Sequence, residues 1–168
     1  MPSINTPASK HAGPAATMGW QWLPYTTATM LAALRRAIHI IDVRIKGSKP
    51  CNAAFKALPS GRTFAQVWSD PSIWINCDPD RIGHRFGVTH SLGGTHNISI
   101  TQYALSMGEW TTAATLIHEL AHNAASLIMR SGAIRPLIER GRSTPRFGII
   151  RALREMPARF HSAGTAWA

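Results

Sequence analysis

The chain is short of several things. It has 2 cysteines, Cys51 and Cys77, so no disulfide framework or Cys/His finger holds it together. Two distant cysteines form either one bridge or two thiols, and a bridge would suit an oxidising compartment. Acidic residues are scarce, 8 against 18 Lys and Arg, and the formal charge is +10. No apolar run reaches the length of a membrane span. Met1 to Pro24 lacks a basic head followed by a long apolar stretch, so no conventional signal peptide is read, and the expected location is the cytoplasm or export by a signal-less route. The basic residues are spread out without nucleic-acid motif spacing, which leaves specific nucleic-acid binding without support. The charge favours anionic partners in general, such as an acidic inhibitor or immunity protein, or a bacterial wall.

At 168 residues and 45% hydrophobic composition, the chain is long enough for one globular core. Residues 1–24, rich in Pro, Ala, Ser and Thr, are expected to be a mobile lead-in. Residues 25–132 are expected to form the core, and residues 133–168 an Arg-rich segment of the same domain. Leu31, Leu34, Ile38, Ile41 and Ile45 recur at helical spacing and predict a helix over 27–46, ended by a left-handed Gly47. His39 lies off that stripe and is expected at the surface. A short helix is expected from Cys51 to Leu58, while Thr63 to Trp68 is ambiguous. Ser72 to Asn76 and Asn97 to Thr101 alternate as strands, with a Gly- and His-rich connection over 81–96 carrying His84, His90 and His96. Ser106 and Glu109 have capping-box spacing ahead of a helix expected over 107–130. Beyond Gly132, short helices are expected over 136–140 and 147–155.

The most informative fragment is Thr115-Leu-Ile-His118-Glu119-Leu-Ala-His122-Asn-Ala124. Residues four apart share a helix face, so His118 and His122 can hold one ion between them. Glu119, about 100° further round the helix, sits beside that ion. Two imidazoles and an adjacent carboxylate are what a zinc hydrolase needs. The uncharged flanks fit a buried helix, in which two unpaired histidines and a glutamate would be costly.

This HExxH fragment resembles the zincin metallopeptidases, firmly over Thr111 to Ala125 and loosely over Ile73 to Ala125. TLIHELAHNA looks most like small bacterial and deuterolysin-type domains. The resemblance implies His118 and His122 as zinc ligands and Glu119 as the general base that takes a proton from the attacking water. It also implies an edge strand ahead of the zinc helix that pairs with an extended peptide, a role expected of 97–101, with Ser99 and Thr101 on an exposed polar face. The chain departs from the family's subtypes. Ile128 stands where the third metzincin histidine would fall, Ala125 stands where its glycine would be, and no Asp follows Asp80 to supply a deuterolysin GTxDxxYG segment.

The third ligand is therefore open. Glu139 leads, as the first acidic residue beyond the helix. His161 and Glu155 follow, and Cys77 lies upstream on the side used by peptide deformylases, whose EGCLS segment is missing here. His96, beside a strand, and Tyr103, between strand and helix, are candidates for an oxyanion or substrate contact. The expected fold is α+β, a small twisted sheet packed on a central zinc-binding helix. The expected function is zinc-dependent (Zn2+) hydrolysis of peptide bonds in a peptide or protein substrate. Two rivals remain: a peptidoglycan-cleaving zinc hydrolase or antibacterial effector toxin, and a basic binding module with a degenerate, inactive zinc site.

Overall fold

In the computed structural model, the residues described are 1–9, 11, 22–82, 85–90 and 96–126. They fall within the first of two units into which the chain divides, Met1–Ile128 and Met129–Ala168. The described part is α+β, with one mixed four-stranded sheet and five α-helices. The strands are β1 (Ser3–Ile4), β2 (Ile73–Asp78), β3 (Gly87–His90) and β4 (His96–Thr101), arranged β1-β2-β4-β3. β1, β2 and β4 run parallel, and β3 is antiparallel to β4.

The first helix, α1 (Ala28–Ile40), is N-capped by Thr27, whose hydroxyl accepts from the Met30 N–H. It buries Leu34 and Ile38, as its spacing predicts, together with Ala33, Ala37 and Ile40, while Leu31 is half-buried and His39 exposed. Its end differs from expectation. The chain continues as a π-helical turn, Ile41–Ile45, closed by Lys46 N donating to Ile41 O at 2.8 Å. Among the described glycines only Gly61 and Gly108 have positive φ, so Gly47 is not the left-handed stop. The wide turn keeps Ile41 and Ile45 buried and lets Asp42 accept from Trp68 Nε1 at 2.7 Å. Helix α2 (Lys49–Lys56) follows, and the ambiguous stretch resolves as α3 (Phe64–Trp68), started by a Thr63/Gln66 capping box.

Register places Ile73, Ile75 and Cys77 of β2 beside His96, Ile98 and Ile100 of β4. Side chains alternate along a strand, so these six share one face. That face meets the helix α5 (Glu109–Ser126), which also packs against α1 and β3. Leu116, Leu120 and Ala124 of α5 are fully buried, as are Ile73, Ile75, Ile98 and Ile100. Removal of this much apolar surface from water is the main force holding the sheet to the helix.

The opposite face carries polar side chains and is nonetheless buried. Asn5 Nδ2 donates to Asn76 Oδ1 at 2.8 Å, and Asn76 Nδ2 donates to Asn97 Oδ1 at 3.0 Å. His11 Nε2 lies 2.8 Å from the same Asn97 oxygen, with its ring stacked on Trp74 at 3.9 Å. The three amides are each at most 1% exposed and bond in a row from the residue after β1 across β2 to β4, which offsets their desolvation. The N-terminal stretch thus contributes more than a lead-in. Ser3–Ile4 pairs with β2, and Leu23 forms an antiparallel bridge to Cys77 beyond it.

Two further expectations are corrected here. The strand 96–101 is interior, between β2 and β3, and Ser99 and Thr101 are 2% and 0% exposed. The Thr101 hydroxyl meets the Phe86 carbonyl at 3.0 Å and caps α4 (Gln102–Ser106) by accepting from Ala104 N. Ser106 is the last residue of α4 and donates to Tyr103 O, so it does not cap α5. Gly108, at φ 106°, turns the chain between the two helices, and α5 starts at Glu109 rather than 107. No helix among the described residues is long and apolar enough to cross a membrane.

Candidate metal centre and its cleft

The described part of α5 has neither proline nor glycine over its 18 residues. Ala113, Leu116, Ile117, Leu120, Ala121 and Ala124 recur at three and four and are buried. That spacing turns the strip bearing His118 and His122 outward, and both histidines are exposed. Their Nε2 atoms lie 3.0 Å apart, with ring centroids at 4.6 Å and planes crossing at 78°. Nitrogens this close require either one ring donating to the other or a cation facing both lone pairs. Two zinc–nitrogen bonds at a tetrahedral angle would hold the nitrogens about 3.3 Å apart. The pair fits the two-histidine half of a zinc site with a small opening movement.

Glu119 is only 5% exposed because β3 lies over it. The Thr89 hydroxyl stands 2.6 Å from Glu119 Oε2 and 2.8 Å from the Glu119 carbonyl oxygen. Gly87 permits this approach. A Cβ there would lie 2.7 Å from Thr115 Cγ2, 2.9 Å from Glu119 Cγ and 3.0 Å from Glu119 Oε1. Burial pushes the Glu119 carboxyl up to about 7, against an opposing pull from the Thr89 hydrogen bond. Gly87, Val88, Thr89, His118, Glu119 and His122 line one open cleft of about 370 Å³.

His118, Glu119 and His122 therefore come together at one cleft. Other candidates lie elsewhere. His96 is half-buried, with Nδ1 3.1 Å from Asn123 Oδ1, and is not among the cleft-lining residues. Tyr103 packs on Phe86 at 5.5 Å and does not line the cleft either. Cys77 is 1% exposed within β2, and burial pushes its thiol up to about 11, so it is placed as a sheet residue away from the histidine pair. Both cysteines are free thiols. Glu139, Glu155, His161, His84 and the side chain of His90 lie outside what is described. Among the described residues no group of three or more His, Cys, Asp or Glu is placed to hold a metal.

Gly87 and Thr89 were not singled out as site residues by sequence reasoning. Their signal is slight: a glycine, then the β-branched pair Val88-Thr89, inside a stretch read as a connection. No family model, curated protein or solved structure matches the chain.

Proposed function

We propose that the chain is a zinc-dependent metallopeptidase of zincin-like arrangement. The observation that carries this reading is the convergence of the two imidazole nitrogens, 3.0 Å apart, in a cleft that also holds a buried carboxylate. His118 and His122 would hold the ion; Glu139, the leading third-ligand candidate in the sequence, lies outside the described residues. When bound, zinc supplies a Lewis acid that polarises a carbonyl and acidifies water.

The chain's own residues supply the rest. Glu119 takes a proton from the attacking water and passes it to the leaving nitrogen, and its burial against β3 suits it to carry that proton. β3 replaces 97–101 as the expected edge strand. Among the described residues it has a strand neighbour on one side only, and it lines the cleft. Its outer backbone groups suit an extended peptide, recognised through main-chain hydrogen bonds. Hydrolysis of a wall-derived peptide is the same chemistry on another substrate, and the +10 charge suits an anionic polymer.

A binding module with an inactive site is the reading from a different class. Its support is that the sequence of the Arg-rich segment carries no recognisable third-ligand motif. Metal analysis of the purified full chain, paired with a peptidase assay, separates the two. An enzyme holds close to one zinc per chain and cleaves peptides. A chain that stays folded in added zinc, binds none and cleaves nothing is not this enzyme.

A further inference from the structure

We propose that Thr89 is a positioning residue for Glu119, holding the carboxyl in one place through both halves of a proton-transfer cycle. This rests on Glu119 as the base. The edge strand brackets the carboxylate at two alternate positions. Gly87 closes on Oε1, where a Cβ would stand 3.0 Å away, and the Thr89 hydroxyl meets Oε2 at 2.6 Å. The same hydroxyl lies 2.8 Å from the Glu119 main-chain oxygen.

A hydroxyl has one proton to give and two lone pairs to accept with. While Glu119 is a carboxylate, Thr89 donates to Oε2. Once Glu119 has taken the proton from water on its other oxygen, Oε2 keeps its lone pairs and Thr89 goes on donating to it. No heavy atom has to move, and the carboxyl stays hydrogen-bonded in both states. A side chain that only accepts would have no proton to give Oε2.

The test compares Thr89→Val, which keeps the shape and loses the hydroxyl, with Thr89→Ser, which keeps the hydroxyl and loses a methyl. The chain carries four glutamates, so carboxyl-labelled 13C-glutamate gives four side-chain signals, with Glu119 assigned through Glu119→Gln. In metal-free full-length protein at fixed pH, Thr89→Val should displace the Glu119 carboxyl signal and Thr89→Ser should leave it near its original position. With zinc added and a fluorogenic peptide drawn from a mixed library, Thr89→Val should lower kcat roughly ten- to a hundredfold with KM little changed, the cost of a misplaced base. Thr89→Ser should recover most of that rate, and all three proteins should hold the same amount of zinc.

A Glu119 signal indifferent to Thr89→Val overturns the clamp. So does a Thr89→Ser protein as slow as Thr89→Val, because packing of the methyl would then be the cause. If the signal responds but wild type and Glu119→Gln cleave peptide equally poorly, the peptidase reading fails, and Thr89's role in it fails too, while the contact itself stands.

Discussion

Gly87 and Glu119 pack across the β3–α5 interface so closely that a Cβ on the glycine would lie 2.9 Å from the glutamate Cγ. The nearest atoms that would have to give way are those of the Glu119 side chain and Thr115 Cγ2, on a helix whose neighbouring residues are buried. Gly87→Ala should therefore push β3 outward and break the Thr89 contact. The expected cost is about 1–3 kcal/mol in urea unfolding, a typical overpacking penalty, together with a fall in peptidase rate. A variant with wild-type stability and rate would show that β3 stands off further than this contact requires.

Metal binding should depend on both histidines. His118→Ala and His122→Ala are each expected to remove most bound zinc, read by metal analysis after dialysis against buffer. Full occupancy in the double variant would place the site elsewhere. Glu139→Gln should lower zinc content to a similar level. If it does not, the search moves to His161, Glu155, His84 and His90.

Glu119→Gln keeps the size and polarity of the side chain and removes its ability to accept a proton. It should retain zinc and lose activity by about 10²-fold or more, the usual share of general-base catalysis. Near-normal turnover would remove Glu119 from that role.

The two thiols offer a test of the fold itself. Cys51 and Cys77 are 9% and 1% exposed, and burial pushes both up to about 11 from an ordinary value of 9.0. At pH 8 only about one thiol in a thousand is then ionised in the folded chain. Both should resist alkylation until denaturant is added, when two equivalents react. The sign of the pH effect follows. An unfolded thiol ionises near 9, whereas the folded one keeps its proton to about 11, so stability should fall as pH rises from 9 towards 11. Rapid labelling of either cysteine in the native protein would contradict its placement.

The helical part of the site was legible because its information is local. A four-residue spacing puts His118 and His122 on one strip, and the apolar residues around them state which strip is inside. The strands 73–78 and 96–101 were legible for the same reason. The edge strand was not. Gly87-Val-Thr-His90 is four residues long and opens with a glycine, and it becomes a strand only by pairing with residues 97–100 and passing over Glu119. Ser99 and Thr101 misled because alternation reports which residues share a face and not whether that face meets water. Here the face holds a row of hydrogen-bonded amides and is closed. Ser106 and Glu109 had the spacing of a cap, but Gly108 at φ 106° separates two helices there, a backbone choice that spacing does not encode.

The pairing of β1 with β2 bears on the order in which the molecule assembles. Ser3 meets Trp74 and Ile4 meets Ile75, so this contact closes a loop of about seventy residues, whereas β2, β3, β4 and α5 are joined by short connections. The histidine strip and the β3–α5 contact belong to the locally connected set, and the amide of Asn5 arrives with the long closure. We expect the strand at residues 3–4 to be the last to form and the first to open, leaving the histidine-bearing half standing while the row Asn5–Asn76–Asn97 is cut at one end. Native-state hydrogen exchange should find the Asn5 amide, bonded to Ile75 O at 2.9 Å, exchanging well before the amides of β4. Equal protection of the two would mean that the whole sheet opens as a single unit.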